Sequence, residues 1–111
     1  MQTIEWQDFE RVELRVGTLL SARPNDKAIK PAYVLEVDLG ELGLKTSSAQ
    51  ITAHYRCDEL IGRQVLCVCN FAPKRIAGVR SEVLVTGVYD SDNRVVLAGF
   101  DKPLPNGARL A

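Results

Sequence analysis

The sequence predicts an all-β domain: a five-stranded Greek-key barrel with a short helix between strands 3 and 4 and extensions at the N- and C-termini. Three observations carry this. Short apolar runs alternate with polar residues at period two, Gly and Pro stand at the joints between them, and only one internal segment loses the alternation. At 111 residues the chain reads as one domain spanning residues 1–111, with a core from about residue 8 to 110. That length and strand number favour a small barrel over a sandwich.

The elements follow in order. "TIEWQDFERV" suits a short amphipathic helix, with Thr3 as its N-cap and Trp6 and Phe9 on one face. "VELRVGTLLSA" begins as a strand in which Val12, Leu14 and Val16 share a face, and "RPNDK" ends it. "AYVLEVDLG" is a cleaner strand, with Tyr33, Leu35, Val37 and Leu39 on one side. After a turn at "ELG", "LKTSSAQI" forms a polar strand. The segment "HYRCDELIG" loses period two and forms a helix or irregular stretch ending at Gly62. "RQVLCVCNF", "SEVLVTGVY" and "RVVLAGF" are strong strands, the last two joined by a hairpin turn at "DSDN". "KPLPNGARLA" is an arm with two prolines and an Asn-Gly turn. A helix placed between the third and fourth strands matches an OB-fold, whose face and loops bind oligonucleotides.

Composition narrows function. Fourteen Lys and Arg balance fourteen Asp and Glu, which weighs against a protein that coats nucleic acid through net charge. The charge is nonetheless uneven: Gly62–Arg80 contains Arg63, Lys74, Arg75 and Arg80 and no acid, whereas Glu5–Glu13 carries four acids against Arg11. No apolar run approaches the ~20 residues that span a bilayer. The acidic N-terminus lacks the order of a signal peptide. Three cysteines at no disulfide-like spacing fit a reducing compartment, so the expectation is a cytoplasmic protein without membrane insertion.

Catalysis finds little support. No nucleophile elbow or phosphate-binding glycine loop is present, and His54 is the single histidine. His54, Cys57, Cys67 and Cys69 would suffice by count for zinc, but Cys67 and Cys69 lie two apart in an apolar strand and read as core. The expectation is a non-enzyme with no metal and no cofactor.

Two stretches suggest binding. "KTSSAQIT" crowds hydrogen-bonding side chains beside a barrel strand, either as a polar edge or as a row of donors and acceptors for bases, sugar or phosphate. In "NFAPKRIAGVRSEVLV", Pro73 restricts a loop holding Lys74 and Arg75, with Arg80 following. Such cations are either solvated or aimed at phosphate. Asn70 offers a donor and an acceptor to a base edge, and Phe71 either stacks on a base or seals the barrel end.

The phrases "LRVGTLLSA", "KPAYVLEVDLG", "KTSSAQIT", "GRQVLCVCNFAPKRIAG", "SEVLVTG" and "PNGARL" together resemble the CsaA branch of the tRNA-binding-domain family, over nearly the whole chain. The resemblance implies an OB-fold that binds tRNA or other structured RNA as a homodimer. It also implies chaperone activity toward unfolded or export-bound precursor polypeptides. The family signature falls on Asn70, Pro73, Lys74, Arg75, Gly78 and Ser81, with a Ser–Gln run at Ser47, Ser48 and Gln50 and a basic position at Lys30. Ala72 and Lys74 stand where Pro and Arg are expected. The expected RNA-binding set is Lys30, Ser48, Gln50, Asn70, Lys74, Arg75, Arg80 and Ser81. An expected peptide-binding set is Phe71, Ile76 and Val79; under that alternative the protein is a peptide-binding export chaperone whose RNA binding is vestigial. Trp6, Phe9 and the C-terminal arm lie outside the barrel strands, where a twin could cover them.

Overall fold

The computed structural model describes residues 1–111. Helix α1 (Trp6–Glu10) leads into β1 (Leu14–Pro24), β2 (Tyr33–Asp38), a 3-10 turn at Gly40–Leu42 and β3 (Leu44–Ala49). Helix α2 (Cys57–Leu60) and β4 (Gln64–Val68) follow, then β5 (Lys74–Ile76), β6 (Val79–Ser81), β7 (Leu84–Val85), β8 (Gly87–Tyr89) and β9 (Val95–Leu97). Five strands form one antiparallel sheet in the order β3-β2-β1-β4-β7. The sheet curls until its edges meet. The Glu82 amide donates to the Thr46 carbonyl at 2.7 Å, and the Thr46 amide donates to the Glu82 carboxylate at 3.1 Å. The result is a nearly closed OB-type barrel, with α2 between its third and fourth strands.

Strand β1 makes the curl possible. Its first half, Leu14–Thr18, pairs with β4, and its second half, Thr18–Pro24, pairs with β2. The register slips between Leu19 and Ser21, a bulge that bends the strand where it changes partners. Gly17 lies just before the bend, where an added Cβ would fall 2.4 Å from Val37 Cγ1. No larger residue fits this approach of β2 without displacing it.

The alternation in β2 translates directly into packing. Leu35, Val37 and Leu39 are fully buried and join Leu19, Ile51, Val65, Cys67, Val83 and Val85 in the core, which Leu60 of α2 also enters. Burying a Leu or Val side chain contributes about 1.5–3 kcal/mol, so this row outweighs any single polar contact in the barrel. No helix is long and apolar enough to cross a membrane.

Four local expectations are revised. The N-cap of α1 is Glu5 and not Thr3, because Asp8 turns back to accept the Glu5 amide at 2.9 Å. The span "SEVLVTGVY" is not one strand: β7 stays with β4, while Thr86 donates through both its amide and hydroxyl to the Leu66 carbonyl and β8 leaves to pair with β9. The C-terminal arm folds onto its own barrel along the open edge of β1, through Gly107 to Val16 (2.7 Å), Val16 to Ala108 (2.9 Å) and Leu110 to Leu14 (2.9 Å). The supposed loop after Pro73 is itself a β-hairpin.

Candidate functional site

That hairpin, β5–β6, is inserted between β4 and β7. Ala77 and Gly78 occupy its turn, both at positive φ (47° and 81°), the conformation of a type I′ turn that suits strand twist. Its register places Lys74 opposite Ser81, Arg75 opposite Arg80 and Ile76 opposite Val79. Cross-strand partners share a face, and successive residues point to opposite faces. Lys74, Ile76, Val79 and Ser81 therefore lie on one side, and Arg75 with Arg80 on the other.

The first side closes over a groove. Lys74, Ile76 and Ser81 line an open cleft of about 240 Å3 together with Phe71, Ser48 and Leu84. A second cleft of about 440 Å3 is lined by Ser48, Gln50, Leu84, Tyr89 and Val95, among others. Ser48 and Leu84 border both, so the two form one groove along the seam between β3 and β7. Its floor is tied by the Ser48 amide, which donates to the Ser81 hydroxyl at 3.1 Å. Phe71 is 59% exposed at one end and Tyr89 is 70% exposed at the other. Ser47, by contrast, is buried and faces inward.

The grouping by face cuts across the grouping by chemistry. Phe71 and Ile76 of the peptide set share the groove with Ser48, Gln50, Lys74 and Ser81 of the RNA set. Val79 belongs to the groove side of the hairpin but not to the cleft lining. Lys30 is exposed in the β1–β2 loop. None of Lys30, Lys74, Arg75 and Arg80 takes part in an ion pair.

Asn70 also has a structural partner at each end of its amide. Its Oδ1 accepts the Glu13 amide at 3.0 Å, and its Nδ2 donates to the Arg11 carbonyl at 2.7 Å. Both ends of the amide thus pin the exit of α1 to the end of β4. Tyr89 and Lys27 are positions that strand and turn patterns did not single out. Tyr89 ended an apparent strand, and Lys27 sat in a turn; only the departure of β8 and the packing of the β1–β2 loop give them their surroundings.

The cysteines and His54 occupy separate places. Cys67 is fully buried, and burial pushes its thiol up to about 12. Burial also raises Cys69, which packs against the core. His54 Nε2 lies 2.7 Å from the Asp90 carboxylate, across from the β8–β9 turn. No three His, Cys, Asp or Glu side chains converge.

Comparison with known proteins agrees with this geometry. The family model described as "Putative tRNA binding domain" matches residues 14–109. The crystal structure of chaperone CsaA from Bacillus anthracis str. Ames is 45% identical with a TM-score of 0.93, covering 99% of this chain and 100% of that one. CsaA chaperone protein from Picrophilus torridus is 42% identical with a TM-score of 0.90, covering 98% and 100%. The methionine–tRNA ligase of Flavobacterium johnsoniae is 32% identical over 107 residues, 96% of this chain but 15% of that protein. The chain therefore spans about 15% of the length of such curated relatives.

Proposed function

The chain belongs to the tRNA-binding-domain family, and from that premise we propose that it is a non-enzymatic, cytoplasmic, homodimeric protein that binds tRNA and also engages unfolded polypeptides. The observation that carries the RNA reading is the β5–β6 hairpin, where three cations stand without an acidic partner beside a groove of hydrogen-bonding and aromatic side chains. Cations of this kind attract the phosphate backbone, while Ser48, Gln50 and Ser81 offer donors and acceptors to bases or sugar. Phe71 and Tyr89 give flat surfaces at both ends on which bases can stack.

The polypeptide reading rests on the same groove. Phe71, Ile76 and Leu84 expose apolar surface there, and the structurally similar CsaA proteins are described as chaperones. The homodimer reading draws on Trp6, which stays 65% exposed with its ring tilted against Phe9 at 5.2 Å between centroids. An exposed tryptophan of this kind is covered most simply by a second copy.

A salt titration separates the ligands. Binding of bulk tRNA should weaken steeply as salt rises, and Lys74→Ala with Arg75→Ala should lower the slope of log K against log salt by up to about two. Binding of a reduced, alkylated polypeptide should persist at high salt and fall with Phe71→Ser. A tRNA affinity indifferent to salt and to both substitutions would remove the RNA reading.

A further inference from the structure

The face of the hairpin turned away from the groove holds a second arrangement. Arg75 and Arg80 stand directly opposite each other, a like-charged pairing that destabilises a two-stranded ribbon unless something anionic lies across it. A third cation joins them at the turn. The side chain of Lys27 runs along Gly78, with Cδ 3.1 Å and Nζ 3.5 Å from where a Cβ on Gly78 would lie. The Arg75 guanidinium donates to the Gly78 carbonyl at 3.2 Å. Two cations thus converge on one glycine, which leaves room for the lysine. The approach is held from below, since the Asn25 side-chain amide donates to the Ala77 carbonyl at 3.4 Å.

No acid answers this charge. Asp26, next to Lys27 in the same turn, pairs with none of the three, and Glu82 at the base of the hairpin faces Lys45 at 3.9 Å instead. Neither cleft of the groove is lined by Lys27, Arg75 or Arg80. The cations are therefore spread over an open ribbon, which suits consecutive phosphates of a polymer better than a small anion. Guanidinium groups fork onto phosphate oxygens, and the lysine adds a mobile charge.

We propose that Lys27, Arg75 and Arg80 form a phosphate-backbone clamp on the outer face of the β5–β6 hairpin, distinct from the groove that meets bases or apolar chain. This rests on the reading of the chain as an RNA binder and divides that activity between two faces. The clamp supplies most of the salt-dependent part of binding, Lys74 in the groove adds one charge to it, and the uncharged groove residues supply the salt-independent part.

The two contributions separate in a salt titration of bulk tRNA. The clamp variant Lys27→Gln/Arg75→Gln/Arg80→Gln is expected to lower the slope of log K against log salt by about two to three and to weaken binding at least about tenfold at low salt. The groove variant Phe71→Ser/Ile76→Ser is expected to weaken binding by a similar factor at every salt, giving a parallel line. If the triple variant does not fold, Arg80→Gln alone is expected to lower the slope by about one. A clamp variant with wild-type slope overturns the clamp while leaving the RNA reading intact, and so does a groove variant that flattens the line as much as the clamp variant. Wild-type protein that fails to bind tRNA at any salt overturns both.

Discussion

Replacing Asn70 by Ala tests whether this amide meets a ligand or holds the fold. The substitution removes two hydrogen bonds, from the Glu13 amide at 3.0 Å and to the Arg11 carbonyl at 2.7 Å. Each is worth about 0.5–1.5 kcal/mol net. The site is exposed, so water replaces part of what is lost, and the lower half of that range applies, giving about 1–2 kcal/mol in total. The Cys69 amide still donates to the Glu13 carbonyl at 2.8 Å and limits the damage. For a domain of this size such a loss corresponds to a fall in Tm of roughly 5–10 °C. Scanning calorimetry should record that fall, while tRNA affinity measured well below the transition should change by no more than about threefold. Unchanged melting with a loss of tRNA binding of about tenfold or more would refute the reasoning and make Asn70 a ligand contact.

Two further outcomes follow from titration and burial. With its thiol pushed up to about 12, Cys67 is ionised in only about one molecule in ten thousand at pH 8, so iodoacetamide should modify it last and only upon unfolding, as mass spectrometry of native and denatured samples would show. Asp90 accepts the Arg94 amide and the His54 ring, and these bonds hold its carboxyl below the usual range. A depressed folded value contributes stability that is complete above the unfolded pKa of about 3.9 and disappears as pH falls through the folded one. Asp90→Asn should therefore melt below wild type at pH 7, with the gap closing in acid; a gap independent of pH would contradict this.

Much of the barrel was legible from local pattern. Period-two alternation marked β2 and assigned Leu35, Val37 and Leu39 to the core, because side chains on a strand must take alternate sides and only one side of a barrel is dry. Loss of that period located α2, and the spacing of Cys67 in β4 and Cys69 just beyond it read as core, which Cys67 enters and Cys69 packs against. The motifs around "KTSSAQIT" and "NFAPKRIAG" pointed to the tRNA-binding-domain family. Local pattern failed where pairing is nonlocal. "SEVLVTGVY" looks continuous, yet β7 and β8 serve different sheets.

The sequence by itself determined the core-facing row of β2, the absence of a net charge and the clustering of cations between Gly62 and Arg80. Tertiary structure alone decided which face each of those cations takes. Lys74 and Arg75 are neighbours in the chain, but the hairpin register sends one to the groove and the other to the outer face. Lys27 is far from Arg75 in sequence and shares Gly78 with it in space. Asn70 has the chemistry to read a base, and its amide also bonds Arg11 and Glu13, which lie far from it in sequence. The physical reason is common to all three. A residue's type fixes what it can bond, but cross-strand register and loop packing, set by contacts distant in sequence, fix what it meets.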